Sequence, residues 1–219
     1  MILMKFKAVL FDLIGTSVIE KPGTIICCFV DAFRTNHVEI DMDFLQSHRG
    51  RGKKEIIESL LKSSGIPEKT TLKVYDDFRS NVESRITDFS AASSTEEIFS
   101  LVRSLNIKLG IGTGLPQSIF KLISRQLGWN EKMFDYIGIA EEVGTGRPDP
   151  AMINDMMKEL DINSGNEFLK VGDTSADIQE GKNAGVKTAV ILSGTQDSGM
   201  LRNENPDYVL ESLADIKNI

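Results

Sequence analysis

The stretch Ala8-Val9-Leu10-Phe11-Asp12-Leu13-Ile14-Gly15-Thr16 decides how the rest of the chain is read. Its first four residues are apolar without alternation, the pattern of a short parallel strand covered on both faces, and the run stops on a carboxylate. Gly15 lets the backbone turn sharply, so Asp12 is predicted at the carboxyl end of the strand, the edge where open α/β sheets gather their ligands.

Downstream of this strand the texture changes. Residues 25–34 carry apolar side chains at helical spacing, Asp43 opens a further helix-like run, and residues 55–62 are amphipathic. Gly65-Ile66-Pro67 breaks the pattern, and Val74, Phe78, Val82 and Ile86 then fall four apart in a helix over residues 71–86. Residues 17–21 read as a plain connection, so the block 17–90 is predicted to be all-helical. Beyond the small polar linker Ala91-Ala92-Ser93-Ser94, with Thr95 as the predicted N-cap, helices and strands alternate. Helices near 96–105, 117–127 and 176–184, and one capped by Asp149 with Pro150 behind it and running to Leu160, are interleaved with strands at 107–113, 136–140, 168–172, 187–192 and 208–211. That alternation predicts an α/β fold with a doubly wound parallel sheet, in which residues 1–16 and 91–219 form the core and residues 17–90 an inserted helical cap.

The bulk properties agree. With 219 residues, 41% of them apolar and 26% charged, the composition is that of a soluble globular protein. A net charge of -7 argues against a nucleic-acid partner, which needs a basic stripe to displace counterions. No apolar run approaches a membrane span, and residues 1–13 lack the pattern of a signal peptide, so a cytoplasmic protein with no membrane partner, a monomer or a homodimer, is expected. Cys27 and Cys28 are adjacent and alone, build no disulfide framework, and read as buried thiols.

Four predicted strand ends carry the polar residues: Asp12, the hydroxyl in Gly110-Ile111-Gly112-Thr113-Gly114, Arg147 in Gly144-Thr145-Gly146-Arg147-Pro148-Asp149-Pro150, and Gly172-Asp173-Thr174-Ser175-Ala176-Asp177. Strands of one parallel sheet share an edge, so these groups are expected to converge. Carboxylates alone repel a phosphate, and together they imply a hard cation such as Mg²⁺, while Arg147 and the Thr113-Gly114 backbone suit phosphoryl oxygens. An aspartate nucleophile splits phosphoryl transfer into two easier steps.

The set Asp12-x-x-Gly15-Thr16, Thr113-Gly114, Arg147 and Gly172-Asp173-x-x-x-Asp177 resembles the four motifs of the haloacid dehalogenase superfamily, in order and over nearly the whole chain. The resemblance implies a Rossmann-like core, Asp12 as nucleophile, Mg²⁺ on Asp12, Asp173 and the Ile14 carbonyl, and a helical cap over the site. Common phosphatases of that superfamily carry an aspartate two residues after the nucleophile to protonate the leaving group. Here that position is Ile14, which transfers no proton. An apolar residue there, with arginine in the third motif, is similar to the phosphonoacetaldehyde hydrolase (phosphonatase) branch. That branch implies a cap lysine forming a Schiff base with an aldehyde substrate, and Lys53 in Arg49-Gly50-Arg51-Gly52-Lys53-Lys54 aligns best with it. Arg49, Arg51 and this glycine-rich start depart from that branch.

Competing readings stand beside several assignments. Asp177 serves as a metal ligand or orients Asp173. Arg147 holds phosphoryl oxygens or pairs with Asp149 at the surface. Lys53 is a Schiff-base amine or a solvated charge beside Lys54, and His48, Arg49 and Arg51 bind an anionic substrate or solvate a loop. Two other functions compete with a phosphonatase-like one: a phosphomonoester phosphatase of the phosphoglycolate phosphatase type without the usual acid, and a non-catalytic phosphate-binding homologue.

Overall fold

The computed structural model describes residues 2–219. The chain runs β1 (Ala8–Asp12), β2 (Val18–Glu20), α1 (Thr24–Thr35), α2 (Met42–Ser47), α3 (Lys53–Ser63), α4 (Lys69–Ser84) and β3 (Phe89–Ala91). It continues α5 (Thr95–Ser104), β4 (Lys108–Thr113), α6 (Gln117–Gln126), β5 (Tyr136–Ile139), α7 (Ala140–Val143), α8 (Ala151–Glu159), β6 (Phe168–Gly172), α9 (Ser175–Asn183), β7 (Lys187–Ile191), α10 (Ser198–Asn203) and β8 (Tyr208–Leu210).

Six strands form one parallel sheet in the order β5-β4-β1-β6-β7-β8. β1 is central and buried along its whole length. Its side chains alternate between two cores: Val9 and Phe11 pack with Ile98, Phe99, Ile119 and Phe120 of α5 and α6, while Ala8 and Leu10 pack with Met152, Ile153 and Met156 of α8. That double burial is why the strand reads as an unbroken apolar run. Register aligns the functional ends, with Asp12 opposite Gly112 on β4 and Phe11 opposite Val171 on β6.

The expected all-helical block 17–90 needs a correction. Its two ends pair as a short antiparallel ribbon, β2 with β3, in which Val18 stands opposite Ala91 and Glu20 opposite Phe89. Each strand has three residues, too few for a period of two to show in the sequence. The rest of the block is helical as predicted. α1 packs on α4, with the rings of Phe29 and Phe78 centred 4.5 Å apart.

Three local expectations also change. Thr95 is the first helical residue rather than the cap, and its hydroxyl donates to the Ser17 carbonyl at 3.0 Å, tying α5 to the ribbon. The Asp149 carboxylate accepts from the Ala151 amide at 2.9 Å, so it caps α8 from one residue further out than predicted. Of the two thiols expected to be buried, Cys28 is buried and Cys27 is exposed, because adjacent positions on a helix point about 100° apart and Cys28 takes the face turned toward Asn81 and Arg85. Among the described residues no helix is long and apolar enough to cross a membrane.

Candidate active site

The carboxyl ends of β1 and β6 bring Asp12 and Asp173 together, and one carboxylate oxygen from each of Asp12, Asp173 and Asp177 lies within 4.8 Å of the others. Asp173 is fully buried and held from three sides. Thr16 Oγ1 donates to its Oδ1 at 3.1 Å, and the Thr195 amide and hydroxyl donate to its Oδ2 at 2.7 and 2.6 Å. Gly15, at φ +96, and Gly194 both lie so close that a Cβ at either would collide with this carboxylate. Burial, with help from Asp12 and Asp177, pushes the Asp173 pKa up to about 7. Burial also lifts Asp12 above the usual carboxylate range, against the pull of Arg147.

Behind Asp12 lies a buried ionic network. Arg147 Nη1 donates to Asp12 Oδ1 and, at 2.7 Å, to Asp177 Oδ1; Lys170 Nζ lies 2.9 Å from the same Asp177 oxygen and 3.2 Å from Glu180 Oε2. All five side chains are at most 7% exposed. Asp177 Oδ2 accepts from the Thr174 amide at 3.2 Å and hydroxyl at 2.5 Å, closing a capping box at the start of α9. Burial opposes ionisation of Asp177, yet Lys170 and Arg147 hold its pKa down to about 2. Burial likewise opposes charge on Arg147 and Lys170, and the surrounding carboxylates hold both above their ordinary range.

Four buried carboxylates (Asp12, Asp173, Asp177, Glu180) against two cations (Arg147, Lys170) leave two negative charges unbalanced when all are ionised. Buried charge of that size costs several kcal/mol per ion unless it is neutralised, so the oxygen-only donor set fits a hard divalent cation. Asp12 and Asp173 suit it best, because Asp177 Oδ1 is already paired with two cations, Arg147 and Lys170, whereas Asp173 accepts only from neutral donors.

Facing this floor, the cleft wall comes from the helical block. The cleft is lined by the polar residues Asp12, Glu20, Arg49, Lys53, Thr113 and Thr195 and by the apolar residues Ile25, Ile26, Phe29, Leu45, Ile56 and Leu115. The block is fixed to the core by the Lys53 amide donating to the Gly114 carbonyl at 3.0 Å, by Arg49 donating to the Thr195 carbonyl at 2.5 Å, and by Tyr75 hydroxyl donating to Glu141. A Cβ at Gly114 would strike the Arg51 carbonyl, so this glycine permits the close approach. Lys53 Nζ donates to the Arg51 carbonyl at 3.1 Å. Burial, reinforced by Arg147, lowers its pKa from 10.5 to about 8.

A sequence model of haloacid dehalogenase-like hydrolases matches residues 9–191. The chain belongs to that family. A phosphonoacetaldehyde hydrolase from Bacillus cereus (strain G9842) is 26% identical to it over 214 residues, 92% of this chain and 81% of the relative. Among solved structures, a hydrolase from Pseudomonas syringae superposes with a TM-score of 0.85 at 19% identity, over 97% of this chain and 96% of that one. A phosphonoacetaldehyde hydrolase-like protein from Oleispira antarctica superposes with a TM-score of 0.81 at 21% identity, over 98% and 91%.

This haloacid dehalogenase-like hydrolase brings Asp12, Ile14, Thr113, Gly114, Arg49 and Lys53 to one cleft. It does not bring the other two expected substrate contacts there. The His48 ring stacks on Phe44 at 3.7 Å, with Nδ1 against the Phe44 carbonyl, and Arg51 meets the site only through its backbone. Arg147 is not paired with Asp149; it is buried against Asp12 and Asp177, and its Nη2 has no partner among the described residues. Gly110 and Gly112 serve packing, since a Cβ at either would strike Met156 or Met152. Sequence reasoning missed Glu20, Thr195, Lys170 and Glu180. Lys170 had a visible signal, a lysine within the apolar strand Phe168–Gly172, and Glu180 lies one helical turn after Asp177. Glu20 ends the three-residue strand β2 and Thr195 sits in the connection after β7, neither with a pattern to mark it.

Proposed function

We propose that this hydrolase cleaves a small phosphonate bearing a carbonyl group, of the phosphonoacetaldehyde type, with Asp12 as nucleophile and Lys53 as the amine that captures the carbonyl. The observation that carries this reading is a lysine amine with a pKa of about 8 in the same cleft as Asp12, beside Ile14, which transfers no proton. The resemblance to phosphonoacetaldehyde hydrolases points the same way.

In this reading the neutral Lys53 amine adds to the carbonyl and, after one proton is taken up, the hydroxyl leaves as water, giving a protonated imine. Asp12 Oδ then attacks phosphorus, the carbon–phosphorus bond breaks, and its electron pair is delocalised onto the imine nitrogen as an enamine rather than left as a bare carbanion. Water hydrolyses the aspartyl phosphate, the enamine takes up a proton, and hydrolysis of the imine frees Lys53. Thr113 and the unpartnered Nη2 of Arg147 bind phosphoryl oxygens, while Asp177 and Glu180 hold Arg147 in place. Asp12, Asp173 and the Ile14 carbonyl would hold Mg²⁺, which when bound balances the buried negative charge and draws electron density from the phosphoryl group.

Borohydride treatment in the presence of phosphonoacetaldehyde is expected to leave a reduced adduct on Lys53, detected by mass spectrometry. Lys53→Arg should abolish the adduct and slow phosphate release by roughly 10² to 10⁴-fold. Phosphate release without any adduct overturns the imine, and no release from any phosphonate or phosphate ester overturns the activity.

A further inference from the structure

Asp12 can expel a poor leaving group only if a proton reaches that group, and Ile14 has none to give. The cleft holds another carboxyl. Glu20 ends β2, the strand that leads into the helical block, and its side chain lines the same cleft as Asp12, Ile14 and Lys53. Its Oε2 accepts from the Ile25 amide at 2.7 Å, which fixes the carboxyl at the start of α1, while Oε1 has no hydrogen-bond donor among the described residues.

We propose that Glu20 is the proton donor to the leaving group, the duty that the side chain at position 14 cannot perform. The proposal rests on the reading that Asp12 attacks phosphorus. As the Asp12 Oδ–P bond forms, the bond from phosphorus to the leaving atom breaks; its electron pair stays on oxygen in a phosphate ester and passes through carbon to the imine nitrogen in the phosphonate. The Glu20 O–H proton goes to the leaving atom, oxygen in a phosphate ester or carbon in the enamine held by Lys53. Hydrolysis of the aspartyl phosphate then proceeds without Glu20, whose carboxylate regains its proton from solvent, restoring the acid.

The other cleft groups are poor candidates. Arg49 is committed to the Thr195 carbonyl and does not deprotonate, His48 is turned onto Phe44, and with a carbonyl substrate the Lys53 amine is spent in the imine. Burial supports the assignment: it raises the Glu20 pKa above the ordinary carboxylate range despite Arg49 and Lys53, the charged groups that face it, so the carboxyl holds a proton more readily than an exposed glutamate.

The test is Glu20→Gln, which keeps an acceptor for the Ile25 amide and loses the proton. Ethyl, phenyl and p-nitrophenyl phosphate form a series in which the leaving group needs a proton less and less. The variant is expected to lose roughly 10² to 10⁴-fold in kcat on ethyl phosphate and to stay within about threefold of wild type on p-nitrophenyl phosphate. On phosphonoacetaldehyde it should still form the borohydride adduct while releasing phosphate more slowly by the same factor. Equal losses across the series, as a merely structural role predicts, overturn the proposal. So does an unchanged rate on both ethyl phosphate and phosphonoacetaldehyde, or a wild type that turns over p-nitrophenyl phosphate but neither of those two. A wild type inert on all four compounds fails at the earlier step, the attack by Asp12, and takes the proposal with it.

Discussion

The floor of the cleft and its wall are built on opposite plans. On the floor, Asp12, Asp177, Arg147, Lys170 and Glu180 are packed into a buried ionic lattice, and Asp173 is pinned by Thr16 and Thr195. On the wall, Glu20, Arg49 and Lys53 are half-buried, each with few hydrogen bonds, among aliphatic neighbours. A lattice of that kind holds a fixed geometry for chemistry common to many substrates. Lightly held side chains on an apolar wall suit the proposed role of selecting the far end of the substrate.

The largest expected effect breaks the floor. Asp12→Asn removes the proposed nucleophile and should lower turnover of every substrate at least about 10⁴-fold, read as phosphate release under single-turnover conditions. Lys170→Met tests the lattice without touching the reacting atoms. It leaves Asp177 and Glu180 short of a buried cation, and is expected to destabilise the fold by about 3–5 kcal/mol, measured by urea unfolding. On the wall, the lowered Lys53 pKa has a defined sign. The amine is charged below about 8 and neutral above it, so kcat/KM for an aldehyde substrate should climb about tenfold per pH unit and level off near pH 8. Aryl phosphates, which need no imine, should lack that limb; a limb near 10.5 would mean the amine is solvated. The smallest effect is Arg49→Ala, which removes the bond to the Thr195 carbonyl and should raise KM about two- to tenfold with kcat little changed, matching roughly 0.5–1.5 kcal/mol for one hydrogen bond.

The same contrast explains what the sequence could reveal. Floor residues follow strands whose apolar runs are long enough to recognise, so Asp12, Thr113 and Asp173 were predicted at one edge and register delivers them there. Lys170 left a signal, a lysine inside an apolar strand, but its meaning emerges only when its partners Asp177 and Glu180 are placed in space. On the wall, periodicity located the helices but not the direction of individual side chains. Lys53 and Arg49 reach the cleft while His48, one residue before Arg49, folds back on its own helix. Glu20 escaped notice for a different reason, since three-residue pairing between β2 and β3 is a long-range event with no local trace.

That ribbon leaves the two crossings between helical block and sheet side by side. The Ala92 amide donates to the Ser17 carbonyl at 3.0 Å, so the sheet domain enters and leaves its insertion at almost one point. A short turn could therefore splice Ser17 to Ala92 and leave the six strands their own connections, while another protein's lid could be grafted at the same junction. The molecule is in this respect a socket: the phosphoryl-handling half stays constant, and its selectivity arrives as an exchangeable part.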